Sequence, residues 1–262
     1  MTKSTWNKFV KAKERFRSET EELTHILPQL KNIQQGFANS RADGKNSSYT
    51  VETPVVYNSA LDDISKDDEI KLILVADNPG RREQAAENRR YLVGPSGKIA
   101  GKFFSDNPAL GIDFLRNVII LNKTPIHSAR TAELRELCRI EAKAGRRLDK
   151  NQFSGFSIAA ALEKSQKTMA ALLLEFHGAL GTPVWITGYS EMKKGGIFES
   201  YTETLKKLYS NREKMYNQIL LYRHFSMNQF TIDLKQQTLR GESITECLER
   251  IGAVYRERFL GR

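Results

Sequence analysis

The sequence predicts an α/β fold, a three-layer α/β/α sandwich around a central, mostly parallel four-stranded sheet. The first reason is a set of four unbroken aliphatic runs, at 71–76, 117–121, 184–187 and 218–222. A strand that is apolar at every position, rather than at every second one, is covered on both faces. The second reason is what lies between and after them: apolar residues at helical spacing near 96–105, 156–177 and 199–209, and again from 242 to 259. Strands that alternate with helices pair in parallel through crossovers. Ligands of such sheets bind beyond the carboxyl ends of the strands, so functional residues are sought directly after each run.

Taken in chain order, residues 3–35 carry Trp6, Phe9 and Val10, then Leu23, Ile26, Leu27 and Leu30, at helical spacing, with Pro28 interrupting. This predicts two helices packed on the main body. The stretch 36–53 is polar and rich in Gly, Ser and Asn, which predicts a loop. The chain therefore divides into a helical extension with its polar loop, 1–53, and an α/β/α domain, 54–262. Within the domain, 130–150 is a basic helical insertion (Arg130, Arg135, Arg139, Lys143, Arg146, Arg147, Lys150) expected to widen a nucleic-acid footprint or meet a partner. No internal repeat is visible.

Composition narrows the function. Of 262 residues, 40% are hydrophobic and 27% charged, which excludes fibrous and wholly disordered classes. Forty-one Lys and Arg against 31 Asp and Glu give a net charge of +10, so the surface attracts polyanions and nucleic acid leads the partners. Cys138 and Cys247 form no short ligand pair, which argues against a zinc ribbon or an iron–sulfur cluster and predicts free thiols in a reducing cytosol. No apolar run approaches the roughly 18 residues of a membrane span, and the basic N-terminus has no apolar core of a leader. The expectation is a cytoplasmic monomer with no membrane partner, no cofactor and no metal.

The segment after the first run is Ala76-Asp77-Asn78-Pro79-Gly80, followed by a second stretch ending in Leu92-Val93-Gly94-Pro95-Ser96-Gly97-Lys98. A triphosphate-binding loop is rejected, because two residues separate Gly94 from Gly97 where four are needed and no Ser or Thr follows Lys98. The dinucleotide fingerprint fails too, with one glycine and a proline at the turn. The second run is followed by Asn122, and the fourth by Arg223 and then His224-Phe225-Ser226-Met227.

Together these places resemble the uracil-DNA glycosylase superfamily. Residues 76–80 look like its water-activating loop (G-x-N-P-G or G-E-A-P-G), 92–97 like the F-V-G-x-(A/S)-G segment that follows, Asn122 like the strand-end Asn that reads the base, and His224-Phe225-Ser226 like its H-P-S loop. The likeness spans about residues 70–230. Ala76 stands in place of the leading Gly, Leu92 in place of an aromatic that stacks on the base, and Phe225 in place of Pro. The family's iron–sulfur branch carries four cysteines and this chain has two, so no cluster is implied. The resemblance implies a monofunctional glycosylase of base excision repair that hydrolyses the N-glycosidic bond of uracil or a related deaminated base in DNA, or a catalytically silent nucleic-acid-binding protein of the same fold.

The residue types suit that chemistry. An extruded base is read on its polar edge, and the Asn122 amide can accept from uracil N3–H and donate to O4. Its alternative is to cap the next turn. Departure of an anionic base calls for a donor at uracil O2, for which His224 is the candidate, and a group that holds water beneath the sugar, from Asp77 or Asn78. A plain turn at 77–80 and an exposed loop histidine at 224 are the alternatives. Leu92, Gly94, Ser96 and Ser226 complete the substrate site. Arg81, Arg82, Arg89, Arg90, Lys98 and Lys102 are candidate phosphate contacts, and Met227 or Phe230 a wedge for the gap left by the extruded base. His25, His127 and His177 match no motif; His177 near a helix end is expected as a favourable cation.

Overall fold

The computed structural model of the chain describes residues 1–40, 48–144 and 157–261. Its centre is a four-stranded, wholly parallel sheet of β1 (Leu72–Ala76), β2 (Val118–Asn122), β3 (Val184–Thr187) and β4 (Ile219–Tyr222), in the order β2-β1-β3-β4. Every residue of β1 and β3 is buried, as unbroken aliphatic strands require. Helices flank the sheet, so the α/β sandwich expected from the sequence is the observed fold. The chain leaves β1 for β2 on one side and then crosses to β3 on the other. The connections diverge between β1 and β3, and in open α/β sheets that crevice receives the ligand. Register places Ala76 beside Asn122 and Thr187 beside Tyr222, with Val75 opposite Ile186, so all four strand ends finish at one level.

The helices in chain order are α1 (Lys3–Ile26), α2 (Leu30–Ser40), α3 (Pro95–Asp106), α4 (Glu133–Ala144), α5 (Ile158–Leu180), α6 (Glu199–Tyr209), α7 (Glu213–Asn217), α8 (Gln229–Gln237) and α9 (Ile244–Leu260). The Thr2 hydroxyl caps α1 at the Thr5 amide. Phe9, Ala12, Phe16, Thr20 and Leu23, spaced three or four apart, bury its inner face against α5, where Phe9 meets Phe176 edge-on at 5.5 Å. The N-terminal helices thus share one core with the sheet. Phe103 and Phe104 of α3 pack on Trp185 of β3, and α9, capped by a reciprocal Ser243/Glu246 box, covers β4.

Two expectations need correction. The predicted loop begins later than 36, because Gly36–Ser40 continue α2. Buried Ala38 and the Gln34 side chain, which donates to the carbonyls of Pro54 and His127, hold the helix past a residue of low propensity. In the described part of the basic insertion Leu134 and Leu137 are buried, Arg130 is exposed, Arg135 pairs with Glu191 at 2.8 Å and Arg139 with Glu136 at 2.7 Å. Arg146, Arg147, Lys150 and the side chain of Lys143 lie outside what is described. His177 is not a cation: it is buried, accepts from Tyr209 through Nδ1 and donates to Gln218 through Nε2, and burial pushes its pKa down. No helix among the described residues is long and apolar enough to cross a membrane.

Candidate active site at the strand ends

The loop after β1 is braced from behind. The Pro79 carbonyl accepts from the Ser128 amide at 3.1 Å and from His127 Nδ1 at 2.9 Å, while the His127 Nε2 accepts from the Tyr49 hydroxyl at 2.9 Å. His127 is fully buried, and burial lowers its pKa to about 4, so it stays neutral and serves as a strut. Asn78 is consumed by the same brace. Its Nδ2 donates to the Ser128 carbonyl at 3.0 Å and hydroxyl at 2.9 Å, and its Oδ1 lies 3.1 Å from the Thr131 hydroxyl.

Asp77 has a different surrounding. Its Oδ1 accepts from Lys123 Nζ at 2.5 Å, and its Oδ2 lies 3.2 Å from the Thr131 hydroxyl. Lys123 is wholly buried, donates also to the Thr187 carbonyl at 2.5 Å, and stands 5.0 Å from the centre of the Phe198 ring. Burial lowers its pKa and the Asp77 carboxylate opposes that. Gly188, at φ 78°, makes room for the carboxylate, because a Cβ there would lie 2.5 Å from Asp77 Oδ1. Residues from the ends of β1, β2 and β3 therefore fix one carboxylate in the crevice between β1 and β3.

His224 follows β4. Its Nδ1 accepts from the Ser226 backbone amide at 2.9 Å, and since an amide can only donate, the ring proton sits on Nε2. Burial lowers the pKa of His224, with Asp77 raising it and Lys123 lowering it again. The result is a neutral imidazole with an Nε2–H donor. The contact comes from the Ser226 backbone amide and not from its hydroxyl. Phe225 anchors this loop in the core, stacked on Phe230 at 4.3 Å. Phe230 is 1% exposed, which removes it as a wedge, whereas Met227, in the left-handed region at φ 52°, is 76% exposed at the loop tip.

Asn122 is the most unusual residue of the site. It is 1% exposed, and among the described residues neither its Oδ1 nor its Nδ2 has a hydrogen-bond partner. The capping alternative therefore falls, since the side chain caps nothing. A buried amide with both ends unmet costs several kcal/mol, of order 1–3 for each unmet group.

Leu92 adopts the left-handed region, φ 54°, and is buried. It is stitched to the first loop by buried Glu83, whose Oε1 accepts from the Leu92 amide at 3.0 Å and whose Oε2 accepts from the Gly80 amide at 3.1 Å. Gly97 is obligatory behind it, because a Cβ there would overlap the Leu92 carbonyl oxygen at 1.4 Å. Buried Gly94 caps α3, and half-buried Ser96 lies in its first turn. Burial raises the Glu83 pKa to about 7. The folded protein then holds a proton that the unfolded chain, with an ordinary Glu, releases near 4.5, so the contribution of Glu83 to stability falls as pH rises from about 4.5 to about 7. Urea titrations should show the stability of wild type relative to Glu83→Gln declining across that window, by on the order of 3 kcal/mol. A pH-independent difference would overturn the assignment.

The basic residues divide. Arg82, Arg89 and Lys98 are exposed, and Arg89 is left-handed at φ 44°. Arg81 stacks over Tyr49 at 4.4 Å, Arg90 forms an ion pair with Asp63, and Lys102 pairs with Asp106. Sequence reasoning missed Lys123, Thr131, Thr187 and Gly188. One signal was present for Lys123: it stands two residues past an aliphatic run, at a strand end where functional residues are sought.

Fold and site together define a parallel α/β protein whose strand ends carry a fixed carboxylate, a neutral imidazole donor and an unsatisfied amide. Comparisons with protein-family models, with curated proteins and with solved structures gave no match.

Proposed function

We propose that the chain is a DNA glycosylase that hydrolyses the N-glycosidic bond of uracil or a related deaminated base, in keeping with its resemblance to the uracil-DNA glycosylase superfamily. The observation that carries this reading is Asn122, a buried amide with an unmet acceptor and unmet donors at the end of β2. Uracil offers the complementary N3–H and O4, and cytosine offers the reverse. His224 Nε2–H suits the anionic O2 of the departing base without changing its own charge. Asp77 is favoured over Asn78 as the water-holding group. The Asn78 donors are spent on Ser128, whereas the Asp77 carboxylate keeps lone pairs beyond those used by Lys123 and Thr131. Its fixed negative charge also favours positive charge on the sugar as the bond to the base breaks and water adds at the anomeric carbon. Arg82, Arg89 and Lys98 supply phosphate contacts.

Asn122 and Leu92 are 1% and 8% exposed, so a base enters only after a covering segment moves. Leu92 and Arg89 before the site, and Met227 and Asn228 after it, hold left-handed backbone of about 1–2 kcal/mol each, strain that release of these loops would relieve. The same closure favours the second reading, a silent nucleic-acid-binding protein. Uracil-containing single- and double-stranded oligonucleotides, incubated with the protein and then treated with alkali, separate the two. Strand breaks at uracil support the glycosylase; binding without breaks at uracil, hypoxanthine or xanthine supports the second.

Asn122 also yields a stability test. Asn122→Leu removes both unmet groups at similar volume and should raise stability by about 1–3 kcal/mol while abolishing base release. Asn122→Asp should reduce uracil cleavage and admit cytosine. A destabilised Asn122→Leu protein with full activity would defeat the role given to Asn122.

A further inference from the structure

Beside His224, the end of β4 carries a second arrangement that the reaction above does not use. Arg223 is half exposed, and its Nε lies 3.3 Å from Oδ1 of Asp233, whose side chain is 8% exposed. That carboxylate also accepts from Gln237 at 2.8 Å and from the Tyr255 hydroxyl at 3.1 Å. Tyr255 in turn packs against buried Tyr189, the second residue after β3, at 4.5 Å between ring centres, and Tyr189 stacks on Phe259 at 4.4 Å. A buried carboxylate is expensive unless it is paired, and here three donors from α8, α9 and the end of β4 converge on one oxygen. The effect on Arg223 is to hold the guanidinium through Nε on a rigid aromatic floor. Its guanidinium, whose planar fork suits phosphate, also interacts with the Tyr189 and Tyr255 side chains and remains half exposed. The fork stands one residue from His224 and four from the exposed Met227 tip.

We propose that Arg223, held by Asp233, is a preorganised phosphodiester contact that seats the nucleic-acid backbone against the β4 side of the site. The inference rests on the nucleic-acid reading given above and deepens it by naming a contact and its support. The contact is to backbone, so it positions the strand and carries no sequence preference. Asp233 is a positioning residue, acting through Arg223 alone.

The test is fluorescence anisotropy with a uracil-free DNA duplex over a series of KCl concentrations. For Arg223→Gln, the slope of log affinity against log salt should shrink in magnitude by about 0.9, the share of one phosphate contact, on any sequence. Asp233→Asn gives an opposite-sign check. It removes a negative charge from a basic protein, which by net charge alone strengthens DNA binding; loss of the Arg223 anchor weakens it instead, and weaker binding is the expected result. Thermal melts accompany both variants. Arg223→Gln changes an exposed side chain and leaves Asp233 its Gln237 and Tyr255 donors, so this arm remains decisive if Asp233→Asn melts early. An unchanged slope in Arg223→Gln, or tighter binding by folded Asp233→Asn, overturns the proposal while leaving the nucleic-acid reading intact. A wild type whose binding is flat against salt overturns both.

Discussion

Asp77→Asn should melt far below wild type, and adding Lys123→Met should recover most of the loss. Lys123 has no exposed surface, and Asp77 is its only carboxylate partner among the described residues. Neutralising Asp77 leaves an ammonium facing a carbonyl and an aromatic ring, and removing one member of a buried pair costs about 3–5 kcal/mol. Replacing both with uncharged side chains removes the burden, which is why the double variant recovers. The pH dependence has a definite sign. Burial already lowers the Lys123 pKa in the wild type, and without Asp77 nothing opposes that. The unfolded chain then binds a proton that the folded chain sheds, so the stability of Asp77→Asn rises as pH increases toward 10.5 and falls again as pH drops. Chemical denaturation of the two variants at pH 7 and pH 9.5 checks this. Equal stability of Asp77→Asn and wild type at pH 7 would mean that the ion pair is not formed. It follows that loss of activity in Asp77→Asn alone says nothing of catalysis until its folding is measured.

His224→Ala should lower the single-turnover rate of base release by about 10²-fold, roughly 2.7 kcal/mol, with DNA affinity little changed. The Nε2–H is fixed by the Ser226 amide at Nδ1 and is therefore preorganised for charge that appears only as the base leaves. The rate should be flat from pH 6.5 upward, because burial keeps His224 neutral there. It should fall at lower pH, where protonation of Nδ1 opposes the Ser226 N–H and removes that anchor. A rate that rises on acidification would indicate a cationic His224 and sink the neutral-donor mechanism. A His224→Ala protein with wild-type turnover would return this histidine to the loop.

Several candidate site residues are legible in the sequence because their signals are local. Asp77, Asn122 and His224 each follow an aliphatic run, and in a parallel sheet the ends of such runs face the ligand. Their chemistry was only partly legible. Asn78 and Asp77 are equivalent candidates in the sequence, and only the positions of Ser128, Thr131 and Lys123 distinguish a spent amide from an anchored carboxylate. Phe230 and Met227 stand three residues apart in the sequence and are equivalent wedge candidates there; the place of Phe230 in α8 and its stacking on Phe225 separate them. The run 36–40 was misread because loop-forming residues were weighed without the contacts Gln34 and Ala38 make elsewhere.

The sequence by itself determined the α/β class, the placing of four strands and the ends at which function would lie, since strand periodicity and helix spacing are properties of short windows. The tertiary structure alone decided which side chains are charged partners, which are braces and which are left unmet. Lys123 reaches Asp77 across 46 residues and Thr187 across 64, and Asp233 meets Tyr255 across 22. Such pairings, and the absence of a partner for Asn122 among the described residues, are set by strand order, register and loop closure, which bring together residues whose separation along the chain carries no information about their distance in space.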